Sequence, residues 1–262
     1  MTFEFDHIIV ETPPNKYFTN LVEFVRYKFD NPDYHGFVFL LSTATVNPCT
    51  YYKEIHKGKH VVMYNWEQLC GGNQWLNVEL YCKNLMGADE LWDYDYLNRE
   101  YMRLYHNIEV DRVQPIEYVP AFERIEPVPD PKIDVLFYGL INERRGRLIT
   151  DIRFKSYDRF SVVTAAGCNA ALNEHFIANS KIILNIHAFE PWHRQEQERI
   201  AFLLSNKKCV LSEPSQFNHF GDAILEVHPE HLYDKIVDLL DGDKWREVGE
   251  NGYRAFNMDF FE

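Results

Sequence analysis

The stretch KIILNIHAFEPWHRQEQERIAFLLSNKKCVLSE, residues Lys181–Glu213, predicts a strand, a polar loop, a helix and a second strand. The first strand, Ile182–Ile186, is a short apolar run of the kind found in buried parallel sheets. The helix carries Ile200 and Leu204 on one face at helical spacing, and Cys209–Leu211 is the second strand. This alternation indicates an α/β protein with a parallel sheet.

Charged and hydrogen-bonding side chains gather just past the end of the first strand and on the first turns of the helix. In open α/β sheets, ligands bind beyond the carboxyl ends of the strands. We therefore predict a ligand site at this edge of the sheet. Its candidate residues are Asn185, His187, Glu190, Glu196 and Arg199.

The composition is that of an ordered globular protein with room for one large or two small domains. The chain has 262 residues, 46% of them hydrophobic, and a formal net charge of −13. A chain this acidic is poorly suited to hold a phosphate backbone through its overall field. Nucleic acid is therefore disfavoured as a partner, although a local basic groove stays open as an alternative.

The cysteines and the N-terminal sequence indicate that the protein occupies a reducing compartment. The five cysteines are scattered and form no CxxC pair, which argues against a disulfide framework and a structural zinc site. The opening MTFEFDHIIVE has no basic region or long apolar core, so no secretory signal is visible. Every apolar run is too short to span a bilayer. We expect a cytoplasmic protein, or one in the host cytoplasm if the source is viral.

Strands and helices alternate in two halves of the chain, which a proline-rich segment separates. The first half closes with a predicted strand at Ile116–Val119, and EPVPDPK (126–132) is typical of an interdomain link. We predict an N-terminal domain over 1–120, a linker over 121–132 and a C-terminal domain over 133–262. The predicted fold class is α/β with two Rossmann-like domains facing a cleft. A single closed sheet is the alternative.

Short motifs of other enzyme classes are absent from the sequence. No GxGxxG follows the first strand, which disfavours a dinucleotide oxidoreductase, and no GxxxxGK[ST] marks a P-loop NTPase. A GxSxG nucleophile elbow and HExxH-type metal-ligand spacings are missing too. We therefore expect no metal site.

Five segments resemble, in the same order, parts of glycosyltransferases with the GT-B fold. More narrowly, they resemble the bacterial, phage and large-virus glycosyltransferase-like group that includes spore-maturation-associated proteins. Three acceptor-domain segments and two donor-domain segments match. They are VVMYNWEQL (61–69), ADELWDYDYLNREYM (88–102), IEYVP (116–120), DVLFYGLINERRGRLI (134–149) and LNIHAFEPWHRQEQERIAFLLSNKKCVLSE (184–213).

The resemblance implies a metal-independent glycosyltransferase that needs no cofactor. It would move a sugar from a UDP- or GDP-linked donor on the second half to a hydroxyl acceptor on the first half. The acceptor would be a glycan, a glycoconjugate or a small molecule. One alternative is an acceptor that is a modified base in DNA, and another is a nucleotide-sugar-binding module without turnover. The oligomeric state stays open.

The departing nucleoside diphosphate gathers negative charge, which a site without a metal must stabilise with fixed cations and a helix N-terminus. The loop and helix start after the strand Val135–Tyr138 carry Gly139, Asn142, Arg144 and Arg145. Glycine lets the backbone approach a phosphate, and arginine binds phosphate in a bidentate manner. We predict donor contacts here. The alternative is a solvated surface turn.

Glu196 and Arg199 lie one helical turn apart and match the family pattern, in which the arginine would face the diphosphate and the glutamate would orient it. A surface ion pair is the alternative. Many GT-B donor domains carry a glutamate on this helix that holds the ribose, and its position corresponds to Phe202. Glu190 and Glu198 have the E-x7-E spacing of many retaining enzymes, but they fall out of register with the helix.

Ser212 and Glu213 close the next strand, where the resemblance implies a polar residue that approaches the donor. For Glu213 the alternative is an ion pair with a lysine such as Lys207 or Lys208.

The first half offers one candidate catalytic carboxylate. Glu67 follows the strand His60–Tyr64 and would act as a general base on the acceptor hydroxyl if the reaction inverts the anomeric centre. The alternative is a structural carboxylate. Thr12 and Asn15 follow the first strand and would shape the acceptor pocket, unless they only belong to a rigid proline turn.

Overall fold

The computed structural model describes residues 1–13, 18–42, 47–69, 76–168, 170–188 and 194–257. The chain divides into two compact units, Met1–Ile116 and Glu117–Glu262. Each unit has its own sheet, of six and five strands respectively. Within the described ranges, no helix is long and apolar enough to cross a membrane.

The first unit is a sheet whose strands lie side by side in chain order, with β1 antiparallel to β2 and the other neighbours parallel. Its elements are β1 (Thr2–Glu4), β2 (Ile8–Glu11), α1 (Thr19–Phe29), β3 (Phe37–Ser42), α2 (Cys49–Ile55), β4 (His60–Asn65), α3 (Val78–Leu85), β5 (Glu90–Asp93), α4 (Tyr96–His106) and β6 (Arg112–Val113).

The two faces of this sheet are packed by different side chains. Aliphatic residues of β3, β4 and β5 form one core cluster with buried residues of α2, α3 and α4. On the other face Phe29 of α1 stacks on Phe39 at 5.1 Å and meets the edge of Trp92 at 5.2 Å. The Arg112 guanidinium lies 4.5 Å from the Trp92 ring centre, where a cation and an aromatic face attract.

The predicted strand Ile116–Val119 does not form. Arg112–Val113 pairs with β5 instead, so the edge position is already occupied. Pro115 then removes a backbone donor that a continuing ladder would need. Ile116 and Val119 are buried, which explains why their apolar pattern resembles a strand.

The second unit is a fully parallel sheet flanked by helices, in the order β11-β10-β9-β7-β8. Its elements are β7 (Ile133–Tyr138), α5 (Glu143–Ser156), β8 (Val162–Ala165), α6 (Ala170–Ala178), β9 (Ser180–Asn185), α7 (Gln197–Ser205), β10 (Cys209–Ser212), β11 (Leu225–Glu226), α8 (Leu232–Leu240) and α9 (Lys244–Phe256).

The strand order of the second sheet reverses between β7 and β9. The chain passes from β7 outward to β8 and then returns across β7 to β9. In open parallel sheets such a reversal leaves a crevice beyond the carboxyl ends of the two strands, where ligands bind. The loops that follow Tyr138 and Asn185 lie at this reversal and are therefore the candidate ligand-binding loops.

The segment 121–132, predicted as a linker, begins by packing on the second unit. The Asn206 side chain, just after α7, accepts a hydrogen bond from the Arg124 N–H at 3.1 Å and donates one to the Phe122 carbonyl at 2.7 Å. The Arg124 guanidinium lies 4.4 Å from the ring centre of Phe202. These contacts explain why the second unit begins at Glu117.

Candidate functional site

The loop after β7 is fixed by the first residues of α5. Gly139 has φ +123°, a backbone conformation that side-chain-bearing residues rarely adopt. Asn142 caps α5, because its side-chain oxygen accepts a hydrogen bond from the Arg145 N–H at 2.9 Å. Its amide donates to the Ala188 carbonyl at 2.5 Å, which ties this loop to the segment after β9.

Arg144 and Glu213 form a bidentate ion pair at the ends of the strands. The two Nη···Oε distances are 2.8 and 2.6 Å, and Glu213 is 1% exposed. Arg144 also donates to the His187 carbonyl at 2.9 Å, and Glu213 accepts from the His187 N–H at 2.7 Å. The charge of Arg144 is therefore neutralised by Glu213, and the pair holds the backbone after β9 in place.

Arg145 is almost completely buried, at 3% exposure. Its guanidinium donates to the Ile186 carbonyl at 2.8 Å and to the Leu140 carbonyl at 2.9 Å. A longer contact of 3.4 Å reaches Glu196. Burial lowers the pKa of the Arg145 guanidinium, with Arg199 and Arg144 acting in the same direction.

Arg199, on α7, is a partly exposed residue whose guanidinium lies near the end of β7. Its hydrogen bond to the Asn185 side-chain oxygen is long, 3.4 Å, and its guanidinium carbon lies 5.1 Å from the Tyr138 ring centre. A Cβ on Gly139 would come within 2.9 Å of Arg199 Nη2. Gly139 therefore leaves the space that this guanidinium occupies.

Glu196 is the residue immediately before α7, and its side chain is 31% exposed. Burial opposes its ionisation, but Arg199 and Arg145 outweigh that effect, so the pKa of Glu196 is lowered. The carboxylate is therefore charged at neutral pH. It lies beside the guanidinium of Arg199, at the helix end where the backbone N–H groups point outward.

The remaining donor candidates of this edge are buried and bonded to the protein. Asn185 donates to the Ser212 hydroxyl at 3.0 Å, and that hydroxyl donates to the Glu213 carbonyl at 2.8 Å. The His187 ring lies 3.2 Å from the Pro214 carbonyl. The structure thus brings the described candidates of the second unit to one edge of its sheet. Glu196 and Arg199 are partly exposed there, whereas the set Asn185, His187, Ser212 and Glu213 is buried.

In the first unit Glu67 follows β4 and its backbone is held from both sides. The Glu67 N–H donates to Asn65 at 3.0 Å, and its carbonyl accepts from Asn98 at 2.8 Å. Thr12 is 5% exposed and donates to the Pro13 carbonyl at 2.9 Å, so its hydroxyl is already used. The predicted Asn15 and Glu190 lie outside the described residues.

A buried polar row beneath Glu67 was not predicted. The last residues of β3, β4 and β5 are Ser42, Asn65 and Asp93, which are paired neighbours and fully buried. The Tyr81 hydroxyl bonds to both Ser42 and Asn65, and Asn65 donates to Asp93 at 2.6 Å. In the sequence, the signal for this row is a polar residue at the end of each of three successive apolar strands.

Among the described residues, no group of three or more His, Cys, Asp and Glu side chains could hold a metal ion. No family model matches the chain, and no curated protein matches it. Solved structures, however, match the fold of this chain over most of its length.

A sucrose-phosphate synthase from Thermosynechococcus elongatus superposes with a TM-score of 0.58 and 13% identity, covering 94% of this chain and 75% of that one. TarM superposes with a TM-score of 0.55 and 13% identity, covering 84% of this chain and 51% of that one. The chain has the GT-B glycosyltransferase fold. The predicted fold class of two Rossmann-like domains is confirmed.

The GT-B fold is also that of an S. aureus TarM variant, solved with fondaparinux, α-GlcNAc-glycerol and UDP. It superposes with a TM-score of 0.53 and 10% identity, covering 85% of this chain and 52% of that one. The chain thus spans about half the length of the TarM structures. At these identities the likeness concerns the fold, and the resemblance to the spore-maturation-associated group stays a prediction.

Proposed function

We propose that this chain is a glycosyltransferase that moves a sugar from a nucleoside-diphosphate sugar to a hydroxyl acceptor without a metal ion. The observation that carries the proposal is the position of Arg199. It lies beyond β7 and β9, where the strand order of the second sheet reverses, with Gly139 leaving room for its guanidinium. Ligands of parallel α/β sheets bind at such a reversal.

The charge pattern of this edge supports an anionic ligand. Arg144 is matched by Glu213 and Arg145 is buried, whereas Arg199 is partly exposed and its hydrogen bond to Asn185 is long, at 3.4 Å. A guanidinium at this place can bind the oxygens of a diphosphate as the bond to the sugar breaks. The N-terminus of α7 would add its dipole.

Glu196 would fix the position of Arg199. Its carboxylate stays charged beside that guanidinium, as its lowered pKa indicates. A fixed arginine stabilises developing charge without reorganising during the reaction, which is how preorganised sites lower barriers. The acceptor would use the first unit, where Glu67 is the candidate general base on a loop held by Asn65 and Asn98.

The direct test is calorimetric titration of the protein with UDP, GDP and the corresponding nucleotide sugars. UDP comes first because one structural neighbour contains it. We expect binding to one of the two nucleotides, and we expect Arg199→Met to weaken it roughly tenfold or more, since a charge-assisted hydrogen bond is lost.

The matched control is Arg147→Met, because Arg147 lies on the same helix as Arg144 and Arg145 but is 76% exposed and paired with Glu143. Its nucleotide affinity should equal that of the wild type. If the wild type binds neither nucleotide and no nucleotide sugar, the proposal is wrong.

A second candidate function is nucleotide-sugar binding without turnover. Phe202, which stands where many GT-B domains carry the ribose glutamate, is 4% exposed and packs against Arg124. This face of α7 therefore offers no carboxylate to a ribose at that position. Release of nucleoside diphosphate from a bound nucleotide sugar, measured with a coupled assay over several acceptors, separates the enzyme from the binder.

A further inference from the structure

Arg145 connects three separate parts of the second unit through one buried guanidinium. Its Nε donates to the Ile186 carbonyl at 2.8 Å, its Nη1 to the Leu140 carbonyl at 2.9 Å, and its Nη2 contacts Glu196 at 3.4 Å. Each of its three nitrogens therefore reaches a different element.

These three elements surround the reversal of the strand order. Leu140 lies on the loop after β7, Ile186 follows β9, and Glu196 immediately precedes α7. The backbone of Arg145 is itself held by the Asn142 cap. The aromatic ring of Phe137, on β7, lies 5.5 Å from the guanidinium carbon and closes the space around it.

We propose that Arg145 is a positioning residue for the nucleotide site, which it shapes without touching the ligand. This inference rests on the proposed function. Only 3% of the residue is exposed, so the guanidinium is not accessible to a diphosphate. Its role is to hold the loops after β7 and β9 at a fixed separation and to keep Glu196 beside Arg199.

The guanidinium group is required for this role, and a positive charge alone does not suffice. Its planar fork sends donors in fixed directions, whereas a lysine ammonium is a single point on a flexible chain. An ammonium at the same place cannot bond Ile186, Leu140 and Glu196 together with the geometry that the guanidinium achieves. Arg144 provides the contrast, because both ends of its fork bind the same carboxylate, that of Glu213.

The experiment measures the affinity of UDP or GDP, whichever the wild type binds, for Arg145→Ala and Arg145→Lys. We expect both variants to bind the nucleotide about tenfold or more weakly, because a small misplacement of a fixed site is costly. Millimolar guanidinium chloride, far below denaturing concentrations, should restore affinity to Arg145→Ala by filling the vacated space. Equal sodium chloride should not.

Thermal unfolding accompanies each titration. Should Arg145→Ala fail to fold, Arg145→Lys carries the test, and weaker binding by a folded Arg145→Lys supports the inference. The control is Arg147→Ala, whose side chain is exposed. Wild-type affinity in a folded Arg145→Ala or Arg145→Lys, or weak binding by Arg145→Ala that guanidinium leaves unchanged, overturns the inference alone. A wild type that binds neither nucleotide overturns the proposed function and this inference with it.

Discussion

At the scale of single residues, the partners of the arginines decide their roles, and the sequence does not show those partners. The run NERRGR predicts basic side chains at a helix start, and the structure places Arg144 and Arg145 there. The carboxylate that neutralises Arg144 belongs to Glu213, 69 residues later. Only the folded sheet brings the two together, so the sequence predicts which residues gather at this edge better than it predicts the partner of each residue.

Lys208, which lies away from the candidate site, has a pKa that its surroundings change. It is 8% exposed, and its ammonium donates to the Ala178 carbonyl at 3.1 Å. Burial lowers the pKa of Lys208 to about 8. Between about pH 8 and the ordinary lysine pKa near 10.4, the unfolded chain holds a proton that the folded chain has released.

The free energy of unfolding should therefore rise with pH across this window, by up to about 3 kcal/mol from this group. Urea unfolding of the wild type and Lys208→Met from pH 7 to pH 10 measures the effect. We expect the rise to be smaller in Lys208→Met. Lys207→Met is the control, because Lys207 is 48% exposed beside Glu250. Parallel curves for the wild type and Lys208→Met would contradict the assignment.

At the scale of elements, apolar runs and helical spacing predict where strands and helices lie. Ile182–Ile186 was predicted as a strand and β9 is Ser180–Asn185. The prediction of a strand at Ile116–Val119 was wrong for a physical reason. Buried residues give the same apolar pattern whether or not a neighbouring strand is free to pair with them. Strand pairing is a long-range property that a local pattern does not contain.

Helix α9 depends on close approach to the second sheet, which a glycine permits. A Cβ on Gly249 would lie 2.3 Å from the Lys207 carbonyl oxygen and 3.3 Å from the Cys209 nitrogen. The Lys207 oxygen belongs to the backbone, so the clash is relieved only by moving the helix. We expect Gly249→Ala to lower the free energy of unfolding by about 1–3 kcal/mol or more.

Urea unfolding of Gly249→Ala checks this expectation. Gly146→Ala is the matched control on α5, because a Cβ there would meet its nearest side-chain atom, on Ile141, at 3.6 Å, an ordinary contact. Gly146→Ala should be neutral or stabilising, since alanine favours a helix more than glycine does. Equal stability of Gly249→Ala and the wild type would show that α9 does not need this close contact.

At the scale of the whole molecule, the two units differ in strand order, which supports the different roles that we propose for them. The second sheet reverses its strand order between β7 and β9, whereas the described strands of the first sheet follow chain order. The reversal favours the second unit as the donor side. The first unit offers Glu67 above a buried polar row that includes Asn65 and Asp93.

A crystal structure of the protein with UDP, or with GDP if that nucleotide binds instead, tests the central claim most directly. We predict that the diphosphate lies beyond the ends of β7 and β9, with its oxygens within hydrogen-bonding distance of the Arg199 guanidinium. A nucleotide bound elsewhere, or bound there with Arg199 turned away from its phosphates, would contradict the account.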